Sequence, residues 1–215
     1  KVLEELFPLV HKELQKTEID GNLLYYWKGK SSEKPILLMS HQDVVPAEGE
    51  WIHAPFSGDI ADGKVWGRGT ADTKCTVMAF LEAVEELTQR PMLRDEIREY
   101  LNPIYDLERL ISRISYQSAN PRDMVAFASS LAMIPYIRQV LQEFEAPVLK
   151  KIYEDMDPLE DVTDLIKRAI VDEPPLAQKD GGIIREGYHA DVDKYRRSRT
   201  DGKKWLAELE AREKE

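Results

Sequence analysis

Three side chains in this sequence have the types and spacing to grip a metal ion: His41 and Asp43 in LLMSHQDVVP, and Asp72 in GRGTADTK. Residues two apart in an extended chain point the same way, so His41 and Asp43 share a face. An imidazole can then bind a cation through one nitrogen while a carboxylate accepts the proton on the other. The C-terminal end of a buried strand, which LLMS resembles in pattern, is where open α/β sheets place their ligands. Asp72 stands before a helix, where a carboxylate could bridge two cations, and Gly67 and Gly69 let the backbone pass close to such a site. By spacing alone, a surface His–Asp pair is the competing account.

Other reactive residues carry less. Glu85-Glu86 lies in the helix after Asp72, and a solvated helix face is its plain expectation. His53 and His189 are expected at the surface. Cys75, the single cysteine, is expected to be a small buried residue on the helix rather than a catalytic thiol. It has no internal disulfide partner, which fits a reducing compartment. GRGTADTK is not a phosphate loop, because Lys74 does not follow a glycine. Arg196, Arg197, Arg199, Lys203 and Lys204 form a basic cluster that could touch phosphates; the acidic residues around it favour a salt-bridged, solvated helix.

The elements that must position these residues change character along the chain. Leu3 to Lys16 has helical spacing, with Leu3, Leu6, Phe7, Val10 and Leu14 on one face, and Pro8 able to shift its start. Asn22 to Lys28 and Pro35 to Ser40 read as strands. The apolar run ILLM within the second suits a central strand covered on both faces. A turn-rich stretch follows, and Thr73 onward is helical. Together these suggest an α/β unit. From Pro91 the pattern is almost wholly helical: 93–101, 106–114, 121–132, 135–144, 147–154 and 158–169, several opening on a proline whose missing N–H is harmless there. Asn120-Pro121 is a cap and first-turn pair. Gly181-Gly182 reads as a turn, IIREGY as a short extended piece, and Asp191 to the end as a charged helix with Trp205, Leu206 and Leu209 as its apolar stripe.

With 215 residues, 42% hydrophobic and 33% charged, the chain can build a core as one large or two small domains. A net charge of −10 argues against a nonspecific nucleic-acid grip, though not against an acidic piece of a larger DNA-binding machine. The N-terminal stretch lacks an apolar signal core, and no run approaches the ~20 apolar residues that span a bilayer. The expectation is a cytoplasmic protein.

HQDVVP followed by EWIHAPFSGDIADGKVWGRGTADTK closely resembles the aminoacylase/carboxypeptidase class of dizinc metallopeptidases, over roughly residues 1–87. The resemblance implies that His41 ligates one zinc, that Asp43 is the catalytic-site carboxylate orienting it, and that Asp72 is the bridging ligand. Thr73 stands where that family often has an acidic or other residue. The family also supplies a Glu-Glu pair some tens of residues later, a further acidic ligand and a late histidine. Glu85-Glu86 comes too soon to be that pair, and His53 and His189 match no family position. Catalytic zinc generally takes three protein ligands and a water, and that water needs a base. The expectation is weak, partial zinc binding and no peptidase turnover.

DLERLISRISYQSANPRDM (106–124), DPLEDVTDLIKRAIVDEPP (157–175) and the stretch 180–213 closely resemble the core, or lever, domain of the MutS mismatch-repair family, over about residues 83–215. The resemblance implies packing and signal transmission, with MutS-type partners or DNA met only as part of a larger assembly; this sequence carries no Walker motif and no Phe-x-Glu mismatch reader, and no membrane contact is expected. The fold expected is α+β overall: a partial α/β metallopeptidase unit (1–87), then an all-α helical segment (88–215), as separate half-domains. The two resemblances overlap at EAVEELTQ (82–89), as an accidental junction would leave them; a single uninterrupted genomic product across Ala83–Arg90 would refute that origin. The competing readings are a noncatalytic MutS core fragment with a foreign N-terminus, a zinc amidohydrolase with a truncated site, and a helical interaction module.

Overall fold

In the computed structural model, residues 1–29, 31, 33, 35–176 and 178–213 are described, with side chains in that range except those of 178 and 203–213. The apolar stripe of Trp205, Leu206 and Leu209, and Lys203 and Lys204, therefore lie outside the described side chains. The chain is mostly helical and divides into two compact units: residues 1–99 with 138–156, and residues 100–137 with 157–215.

The first unit opens with α1 (Val2–Leu6) and α2 (Pro8–Glu13) instead of the single helix expected. Phe7 between them takes φ −128°, ψ 66°. Proline disfavours helical geometry in the residue before it, so Pro8 starts a new helix rather than shifting the old one. β1 (Gln15–Ile19) and β2 (Asn22–Tyr26) follow as an antiparallel hairpin, Gln15 opposite Tyr26 and Ile19 opposite Asn22. Its two-residue loop is Asp20-Gly21, with φ of 50° and 79°. Both loop residues must sit at positive φ for a turn that matches strand twist, and Asp-Gly is a favoured pair there. Asp62-Gly63 repeats the device between β3 (Ile60–Ala61) and β4 (Lys64–Val65).

The expected strand over 35–40 joins no ladder among the described residues. ILLM lies exposed, Ile36 at 90%. Neither hairpin pairs with it, so among the described residues the expected central covered strand is not seen.

α3 (Cys75–Gln89) runs unbroken through the overlap of the two resemblances. It ends at Arg90 because Pro91 opens α4 (Pro91–Leu101). Leu81 packs with Phe7, Val10 and Leu14 into a small core, flanked by Val77, Met78, Val84, Tyr25 and Trp27.

Glu85 and Glu86 correct the expectation of a solvated face. They are only 8% and 9% exposed. The Glu85 carboxylate accepts the N–H groups of Leu9 (3.0 Å) and Val10 (2.7 Å). These are orphan donors in the first turn of α2, where a carboxylate also meets the positive end of the helix dipole. The Glu86 carboxylate accepts the N–H groups of Glu145 and Ala146, both at 2.7 Å, at the start of α8 (Pro147–Asp155). Phe144, in the turn before α8, is fully buried, and Arg90 donates to the Glu143 carbonyl. The first unit draws side chains from both sides of residue 87.

The second unit is built from α5 (Leu107–Ser115), α6 (Pro121–Leu131), the first half of α7 (Ile134–Leu141), α9 (Glu160–Ala169) and α10 (Ala190–Glu213). Their starts follow local chemistry. Asp106 caps α5 through the Arg109 N–H. Asn120 and Asp123 form a reciprocal capping box at α6, with Pro121 in its first turn. α6 packs on α9, burying Ala128, Leu131, Thr163 and Ile166. Contrary to the sequence expectation, Pro121–Leu141 is long and apolar enough by composition to cross a membrane. The chain turns at Ala132-Met133 and buries Leu131, Ile137, Val140 and Leu141, which suits two core helices. IIREGY supplies the extended piece expected of it: Ile184 bridges Ile170 antiparallel.

Candidate metal half-site

The sequence-predicted residues do come together. His41 sits in the loop after ILLM, and Asp72 in the irregular turn before α3, where its φ of −118° and ψ of 94° are not helical. His41 Nε2 lies 3.3 Å from Asp72 Oδ1. His41 Nδ1 lies 3.0 Å from the Asp43 carbonyl oxygen and 3.4 Å from Asp43 Oδ1. Asp43 thus engages the ring through its backbone as well as its carboxylate. The Asp43 carbonyl bond, with the Asp43 and Asp72 carboxylates beside the ring, holds His41 protonated to a higher pH than an ordinary imidazole.

Two residues given no role by the sequence, Ser40 and Thr73, hold the loops in register. The Ser40 hydroxyl donates to the Thr73 carbonyl (3.0 Å) and meets the Thr73 hydroxyl (2.8 Å). The Thr73 hydroxyl in turn accepts the His41 N–H at 3.1 Å and approaches the His41 carbonyl at 3.2 Å. This clamp fixes the chain next to both His41 and Asp72. Its signal in the sequence is faint, because the partners are 32–33 residues apart and serine and threonine are common in loops. Gly69, at φ +84°, lets the 67–72 turn lie against the Val44 side chain, where a Cβ would collide. The resulting cleft holds about 250 Å³ and is lined by His41, Asp43, Val44, Arg68 and Asp72 among others.

The separation of His41 Nε2 and Asp72 Oδ1 can be tested against zinc. Metal–ligand distances of about 2.0–2.2 Å at a tetrahedral angle put two donors about 3.4 Å apart, close to the 3.3 Å seen. These two atoms therefore fit two corners of a zinc site. Asp43 lies on the other side of the ring and cannot supply a third corner. Among the described residues no group of three His, Cys, Asp or Glu side chains gathers to hold a metal.

The remaining candidates sit elsewhere. His53 pairs with Asp59 at 3.1 Å and packs on Trp66, more sheltered than the surface residue expected. His189 is exposed. Cys75 is exposed rather than buried, its thiol donating to the Ala71 carbonyl. In the basic cluster, Arg196 is tied to Asp193 and to the Ile184 carbonyl, while Arg197 and Arg199 are exposed. In the second unit a wider cleft of about 840 Å³ is lined by Tyr105, Arg122, Ser129, Met133 and Asp172 among others.

Comparison with known proteins divides the chain unequally. Residues 37–97 match the family described as peptidase family M20/M25/M40. Residues 76–215 match MutS domain III. The two matches overlap at 76–97, across α3 and into α4. The DNA mismatch repair protein MutS of Lachnoclostridium phytofermentans is 56% identical over 139 residues, 65% of this chain and 15% of that protein. The MutS of Acetivibrio thermocellus is 44% identical over 135 residues, 63% of this chain and 16% of that protein. The MutS of Symbiobacterium thermophilum is 48% identical over 134 residues, 62% of this chain and 15% of that protein. The chain thus spans about 15% of the length of the first of these relatives. With helices α4–α10 and most of α3 inside the match of residues 76–215, the chain belongs to the MutS domain III family.

Proposed function

We propose that this chain is a core, or lever, segment of a mismatch-repair MutS protein, structural and signal-transmitting, without a nucleotide site of its own. The observation that carries this reading is the family match over 76–215, supported by 56% identity to a MutS relative across 139 residues. The helices are capped by local side chains and packed through apolar faces, which suits a mechanical element better than a catalytic one. Its partners are the other parts of a MutS assembly, and DNA is reached only through them. The test is a segment exchange: residues 91–215 replace the matching stretch of the L. phytofermentans protein, and mismatch binding and nucleotide-dependent release are measured. Retention of both supports the reading. A folded hybrid that binds mismatched DNA no better than matched DNA refutes it.

The 3.3 Å approach of His41 and Asp72 favours a second role for the N-terminal part, as a peptidase-type zinc half-site. On this reading residues 1–87 are a partial catalytic domain, His41 and Asp72 hold one zinc weakly, Asp43 orients His41, and amide hydrolysis does not occur. Zinc bound there would supply Lewis acidity; the chain's residues supply only its seat. Calorimetric titration with Zn²⁺ should show weak binding that Asp72→Ala abolishes. Equal heats from the two proteins would remove this role.

A further inference from the structure

We infer that α3 is a two-sided clasp, in which Glu85 grips α2 and Glu86 grips α8, and that the two grips are coupled through the rotational setting of α3. Consecutive helical residues project about 100° apart, so neighbouring carboxylates on one rod reach two different elements. Here each reaches a helix start and closes two N–H donors, at 3.0 and 2.7 Å for Glu85 and at 2.7 Å twice for Glu86. Both side chains are buried, as are the Val10 and Ala146 donors, so in each grip one released N–H finds no ready replacement in water and its loss is felt in full.

The coupling follows from geometry. A carboxylate stands about 6 Å from the helix axis, so a 10° turn of α3 displaces it by roughly 1 Å. That displacement stretches a short hydrogen bond to the edge of bonding distance. A turn that relaxes one grip therefore strains the other. With both in place α3 has one setting, and Leu81 is held against Phe7, Val10 and Leu14. Removal of either carboxylate frees the rotation, and the remaining pair of bonds weakens although no atom of it has changed. By reciprocity, a force that draws α8 away is felt at α2, and the reverse.

Amide hydrogen exchange of the full chain by NMR tests this, reading Leu9 and Val10 for one grip and Glu145 and Ala146 for the other. Glu86→Gln should lower protection at Glu145 and Ala146 by about tenfold or more, the range for losing bonds to a charged acceptor. It should also lower protection at Leu9 and Val10 by several-fold, while amides of the β1–β2 hairpin in the same unit hold theirs. Glu85→Gln should give the mirror result. Loss confined to the mutated grip overturns the coupling, as does equal loss across the hairpin, which would mean general destabilisation of the first unit. If a glutamine variant fails to fold, Glu86→Asp and Glu85→Asp, which keep the charge on a shorter stem, are read by the same amides: loss at both grips supports the coupling, and loss at one grip alone overturns it.

Discussion

Phe144→Ala tests whether the first unit is one folded body assembled from both sides of the overlap. The Phe144 ring is 0% exposed, in the turn between α7 and α8, and the Arg90 guanidinium from the end of α3 lies 6.0 Å from its centre. Truncating a buried phenylalanine removes its transfer free energy and leaves a cavity, about 3–5 kcal/mol together. The Arg90 contact adds little, since a partly exposed cation over a ring contributes about 0.5–1 kcal/mol. Taking about 4 kcal/mol, and roughly 2–4 °C per kcal/mol for a chain of this size, the unfolding midpoint of the first unit should fall by roughly 8–16 °C. Differential scanning calorimetry measures this, with the indole N–H resonance of Trp27 followed by NMR, since Trp27 packs against the N-terminal core. The tryptophan signal should melt at the lowered temperature. Phe144→Leu, which keeps most of the volume, should cost only about 1–1.5 kcal/mol. If Trp27 melts at the wild-type temperature in Phe144→Ala, the N-terminal elements are independent of α8 and do not share a folded body with it.

Two further outcomes are expected. His41 should titrate above 6.5, the ordinary value from which it is raised; its folded-state partners stabilise the charged ring, so their contribution is full below pH 6.5 and is lost as pH rises through the folded value. Its ring-proton NMR titration should therefore have a midpoint above 6.5, lowered but not restored to it by Asp72→Ala, because the Asp43 carbonyl bond remains the larger cause; a midpoint at or below 6.5 in the unmodified chain contradicts the geometry. Asn120→Ala should remove the bond to the Asp123 N–H, costing about 1 kcal/mol and lowering the melting of the second unit by roughly 4–8 °C; no change would mean that the reciprocal Asp123 bond suffices.

The helices after residue 90 are written locally. Each owes its bounds to signals within a few residues, such as Asn120-Pro121 at the start of α6 or Pro147 at the start of α8, and a helix closes its hydrogen bonds four residues apart. Asp20-Gly21 carries an equally local hairpin signal, although no strand was expected before Asn22. The proximity of His41, Asp43 and Asp72 was legible only through the family they resemble. The remaining features depend on packing. ILLM reads as a buried strand, yet a strand exists only where a neighbour supplies the other half of its ladder, and none of the described residues does. Glu85 and Glu86 read as solvated charges, yet each faces helix-start donors brought near by residues 59 to 76 positions away. Pairing across such separations depends on where whole elements come to rest, and no local pattern of side chains encodes it.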